Sequence, residues 1–134
     1  MKILAASAFT LAVLAGCATS KIDPASAPKV GTENVIDRSI LEGAASKGAV
    51  RIARDSGAYG SGLDVLIYID GRHVANMESN SVLVANLPEG RRNIGMQVDS
   101  PTAKIQQIAV DVQSGKTVDV RISMDGGDWR ISRQ

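Results

Sequence analysis

Cys17 is the one cysteine of the chain. As a thiolate, sulfur is the reactive nucleophile of the side-chain set, so the first question is what this residue attacks. His73 is the one histidine. A general base needs a nucleophile and an orienting acid close in space, and a lone imidazole cannot make the His cluster of a zinc site. His73 therefore reads as an exposed or edge-strand residue just past the Asp70-Gly71 turn. Asp70, Glu78 and Asp99 can be brought together at one end of a fold, as can Asp125 and Asp128, and oxygen-rich loops bind calcium. Asp125-Gly-Gly-Asp128, however, lacks the spaced run of ligands of a calcium loop. Arg72, Arg91 and Arg92 suit an anionic ligand, a phosphate or a cell-wall carboxylate, or else a solvated face. Tyr59, in a glycine-rich loop, either contacts a partner or folds back over the end of the body. Trp129 reads as a cap on the core ahead of a sugar-stacking ring. No catalytic residue, metal or cofactor is expected. Tyr59, Arg91 and Trp129 are the candidate ligand or partner contacts.

The surroundings of Cys17 say more. Lys2 precedes an uncharged run, Ile3 to Leu14. A run of about a dozen residues is short of the roughly 20 needed to cross a bilayer. It has the length, the positive flank and the small-residue exit of a signal peptide. Leu14-Ala15-Gly16-Cys17 resembles the lipobox of bacterial lipoproteins. That resemblance implies recognition of Leu14, Ala15 and Gly16 by a dedicated signal peptidase and cleavage just before Cys17. It implies a diacylglycerol on the sulfur and fatty acylation, of the palmitate class, on the new amino terminus. Ala18 stands where an Asp would hold such a lipoprotein at the inner membrane. The resemblance therefore implies lipid anchoring in the cell envelope, at the outer membrane and facing the periplasm. The covalent lipid would consume the thiol, and one cysteine cannot pair with itself. The body must be held by its core alone.

The chain carries 15 Lys plus Arg against 14 Asp plus Glu, and without Lys2 the two signs balance. There is no basic excess to neutralise phosphates, which argues against nucleic acid and against a polybasic membrane patch. After Phe9 the only aromatics are Tyr59, Tyr68 and Trp129, few for a glycan-binding surface.

These residues need elements to hold them. Residues 17–48, rich in Pro, Gly, Ser and Ala, read as a lipidated amino terminus and flexible linker. Residues 37–46 are a possible short helix capped by Asp37. From residue 49 alternation takes over. Val50 and Ile52 share a face, as do Leu63, Val65, Ile67 and Ile69. Val82 and Val84 begin a strand, and Arg92, Ile94, Met96 and Val98 form another face. Ile108, Val110 and Val112 follow, then Val118, Val120, Ile122 and Met124, the cleanest pattern of all. Asp70-Gly71 suits a tight hairpin, and Asp125-Gly-Gly-Asp128 a last one. Leu87-Pro-Glu-Gly90 is turn chemistry. Ile105 has the wrong parity for Ile108, so a bulge is expected near Gln106-Gln107. Residues 49–134 thus predict a small antiparallel β-sandwich of about seven strands. No helical span of ten residues separates the strands, which excludes a parallel α/β sheet.

Val65-Leu-Ile-Tyr-Ile-Asp-Gly71, Asn86-Leu-Pro-Glu-Gly90-Arg-Arg-Asn-Ile94 and Ile108-Ala-Val-Asp-Val112, with Gly115 before Val118, resemble the PEGA-type domain and related small lipoprotein domains of unknown function. The resemblance spans about 63 to 122. It implies a β-sandwich with no catalytic residues to carry over. Glu78-Ser-Asn80 stands where that family usually has Thr-Pro. Together these features point to a non-enzymatic envelope lipoprotein that presents a sandwich to a protein partner. The alternative is a module binding cell-wall glycan or another envelope ligand.

Overall fold

The computed structural model describes residues 17–134. Segment 1–16, expected above to be a signal peptide, lies outside the described residues, and Leu14, Ala15 and Gly16 with it. The described chain is all-β, with eight strands: β1 Lys47–Arg54, β2 Val65–Ile69, β3 Arg72–Met77, β4 Ser81–Pro88, β5 Gly90–Val98, β6 Gln106–Val112, β7 Thr117–Asp125 and β8 Asp128–Arg133. They form two four-stranded sheets, ordered β4-β1-β7-β8 and β3-β2-β5-β6. Inward residues of the first sheet, Val50, Ile52, Leu83, Ala85, Val120 and Ile122, meet Val65, Ile67, Ile94, Met96 and Val110 of the second in one continuous core. Alternation builds this because side chains point to opposite faces with a period of two.

Turn chemistry sets the registers. Asp70 and Gly71 both take positive φ (49° and 81°) and join β2 to β3 so that Ile69 faces Arg72. Gly126 and Gly127 (59° and 87°) close the β7–β8 hairpin, with Asp125 opposite Asp128. Both are two-residue loops of the hand that matches strand twist.

Several expectations are corrected. The pairings are not all antiparallel: β1 lies parallel to β7, Ala49 to Thr117 through Arg54 to Ile122. Distant strands can pair in this way because the connection between them visits the other sheet. Leu63 is exposed and precedes β2 rather than extending its apolar face. In β4 the core residues are Leu83, Ala85 and Leu87. Val82 is buried on the other side of the strand, where its backbone pairs with Pro28 and Val30. The register of β5 with β6 runs unbroken past Gln106 and Gln107, and Ile105 stays exposed just outside the strand. The bulge lies instead between β2 and β3, at Ile67/Tyr68.

The largest correction concerns residues 18–46, which lie along the body instead of forming a free linker. Ser20 exchanges backbone hydrogen bonds with Ser56, and Val82 donates to Pro28 O while accepting from Val30 N. The extra residue of the bulge, Val74, turns its carbonyl outward and accepts from both Ile36 N and Asp37 N. Val35 and Ile40 are inserted into the core. The expected helix at 37–46 is a single 3-10 turn, Arg38–Leu41, with Asp37 as its N-cap accepting from Ser39 N. This strap covers the outer edges of β3 and β4, whose unpaired backbone groups would otherwise invite other strands. Composition suggested a linker because pairing through isolated bridges needs no period in the sequence.

Candidate functional site

The ends of β1 define two poles. At the Arg54 end, Cys17 is exposed, and its carbonyl accepts from Gly127 N in the β7–β8 turn at 3.4 Å. Two residues later the chain is clamped. Thr19 N donates to Met124 O (3.0 Å), Met124 N donates to Thr19 Oγ1 (2.9 Å), and Thr19 Oγ1 donates to Asp55 Oδ2 (2.7 Å). Asp55, 2% exposed, accepts a two-pronged pair from Arg121, Nε to Oδ1 at 2.9 Å and Nη2 to Oδ2 at 2.6 Å. That hydrogen bonding raises the Arg121 guanidinium above its usual range, against the opposing effect of burial. A bidentate, charge-assisted pair fixes geometry as well as energy. Asp55→Ala should destabilise the fold by about 2 kcal/mol, since it removes charge-assisted hydrogen bonds to Arg121 and Thr19, and should loosen the strap at Thr19. Urea titration reads the first effect and amide exchange of Thr19 and Ser20 the second; a loss below about 0.5 kcal/mol, the size of an ordinary surface change, would contradict the clamp.

Beside Cys17 stands the loop between β1 and β2. Tyr59 is 49% exposed, and the neighbouring Cys17 holds its hydroxyl above the usual phenol range. The loop is pinned from beneath by Arg54, a fully buried arginine whose guanidinium donates to Met77 O, Gly60 O and Leu63 O. Burial lowers its pKa, and Asp64 and Glu78 act the other way. Trp129 closes over it, ring centroid 5.3 Å from the guanidinium carbon, a cation–π distance. Gly60 is needed here because it takes φ of 73°, and a Cβ would stand 2.7 Å from the Trp129 ring. Trp129 thus packs against the core, half-buried, with one face occupied.

The opposite pole gathers Asp70-Gly71, Glu89-Gly90 and Ser114-Gly115. A cleft of about 350 Å³ opens there, lined among others by Asp37, Lys47, Asp70, Arg72 and Arg92. Arg72 pairs with Asp37 at 2.8 Å and Arg92 with Asp70 at 3.3 Å, so four of its charges are mutually engaged, while Lys47 donates to Glu42 O. The Ser39 hydroxyl, above all, holds the Asp37 carboxyl below the usual range, with the Ser39 amide and Arg72 adding to it. Arg92, expected on the apolar face, is half-buried and spends its donors on Pro88 O, Glu89 O and Asp70.

The sequence candidates therefore separate. Tyr59 and Trp129 flank Cys17, whereas Arg91 lies exposed near the far pole, opposite Asp111 on β6. Asp70 does not meet Glu78 and Asp99, because it stands at the other end of β2. Among the described residues no three His, Cys, Asp or Glu side chains are grouped to hold a metal. His73 shares a 2.7 Å hydrogen bond with Asn76 and stacks on Tyr68. Sequence reasoning missed the Thr19–Asp55–Arg121 clamp and buried Arg54. The only signal was an Arg-Asp pair, Arg54-Asp55, ending an apolar strand. Comparison with protein-family models, with curated proteins and with solved structures yields no match.

Proposed function

We propose that this chain is an envelope lipoprotein, anchored through lipid on Cys17 and presenting its sandwich to a protein partner on the periplasmic side of the outer membrane. What carries the reading is Cys17 itself: an exposed thiol behind an apolar leader, from which the folded body starts within two residues. An anchor needs an accessible sulfur, and a presented domain needs its other end free. The far pole, with its ion-paired cleft, is the surface so presented. The glycan-binding alternative draws less support, because Tyr59 and Trp129 sit at the anchored end and one face of Trp129 is spent on Arg54. The reading is non-enzymatic: His73, the lone histidine, is engaged by Asn76 and stacked on Tyr68. The PEGA-type resemblance agrees with a presented sandwich.

The intact mass of protein extracted from membranes tests the anchor. The expected species begins at Cys17 and carries a diacylglyceryl thioether and an acyl amide. A chain that retains Met1 and a bare thiol would overturn it.

A further inference from the structure

If Cys17 carries lipid, the reading this inference rests on, the clamp at Thr19 fixes what the membrane touches. From Cys17 to Thr19 the chain reaches at most about 7 Å. The Cys17 carbonyl is itself tied to Gly127 N. A leash so short cannot let the body hang free. The first surface beside it is the 56–63 loop, where Tyr59 (49% exposed) and Leu63 (41% exposed) project with little cover. Tyrosine, with an apolar ring and a polar tip, favours the level of lipid headgroups.

We propose that the Cys17 pole rests on the bilayer, with Tyr59 and Leu63 at headgroup level, and that the Thr19–Asp55–Arg121 clamp sets this orientation. The occupant is a zwitterionic lipid surface. Asp125 and Asp128 in the adjoining turn, and Asp64 at the end of the loop, are exposed and outnumber Arg130, the exposed cation of the same hairpin, so the pole disfavours anionic headgroups. Eight residues of β1 then hold the far pole on the order of 25 Å above the membrane. The strap thus serves as a brace, and the cleft of the far pole faces away from the lipid.

Hydrogen exchange on the full lipidated protein, in detergent and then in phosphatidylcholine vesicles, tests this. Flotation with the vesicles comes first: protein that fails to float sinks the lipoprotein reading and this inference with it. For floating protein, amides of 57–63 and of Gly126 and Gly127 should exchange at least about threefold more slowly on vesicles, while those of Gly90 and Gly115 stay unchanged. Equal rates at both poles would overturn the orientation and leave the anchor standing. A probe gives a second reading: with Trp129→Phe as background, Tyr59→Trp should be quenched by brominated lipid and Lys116→Trp should not. Adding Thr19→Val should lower the Tyr59→Trp quenching at least twofold. Unchanged quenching would remove the clamp from the account.

Discussion

Val120→Asp is expected to leave the chain unfolded at 25 °C. Val120 is 1% exposed at the middle of β7, paired with Ile52 on one side and Arg133 on the other. The substitution gives up roughly 2 kcal/mol of apolar burial. It also places a carboxylate in the core, where either ionisation or enforced protonation costs several kcal/mol more. The whole fold has about 5–15 kcal/mol to lose, with no disulfide to constrain the unfolded chain. Thr117→Asp, exposed on the same strand, separates burial from mere loss of β propensity and should shift the melt by no more than a few degrees. Circular dichroism across a thermal ramp reads both. A cooperative Val120→Asp transition near that of the wild type would mean that the face of β7 is misassigned.

That face was legible in the sequence because alternation over a strand with one buried side reports burial directly. The Asp70-Gly71 and Asp125-Gly-Gly-Asp128 hairpins were legible too, since positive φ at two adjacent residues demands those residue types. What stayed hidden has a common cause. The strap from Ser20 to Asp37 is held by single bridges at Ser56, Val82 and Ala75, and one bridge leaves no period. Because the strap bridges to β4 at Val82, that residue is buried off the core face, while Val84 and Asn86 of the same parity stay partly exposed. Alternation is also blind to partner and direction, so the parallel pairing of β1 with β7 could not be read from it. At the Cys17 pole the chemistry is long-range: Thr19, Asp55 and Arg121 are each ordinary alone. Charge composition gave no warning that Arg54 would be buried, since its acceptors are backbone carbonyls that every residue carries. Tyr59 and Trp129 were singled out by type and lie together at the Cys17 pole, but nothing in the sequence placed Arg91 away from them.

Cys17→Ser is expected to move the protein from the membrane fraction to the soluble one almost completely, without changing its stability. A serine hydroxyl lacks the thiolate that makes cysteine the alkylated residue. The energetic side is one-sided: each buried methylene contributes about 0.8 kcal/mol, a single acyl chain binds only marginally, and two or more make attachment lasting. Removing all of them leaves, among the described residues, Tyr59, Leu63 and, just before β6, Ile105 as the large apolar side chains exposed toward this end, too little area to retain the body. The fold should not notice, because Cys17 is exposed and the backbone contact it makes, its carbonyl to Gly127 N, survives the change. Fractionation with intact mass decides the matter, the mass showing whether residues 1–16 remain on the variant. Soluble variant with a wild-type melt is the expected pair of results. A variant that is still membrane-bound after losing residues 1–16 would show that something other than lipid on sulfur holds this body at the bilayer.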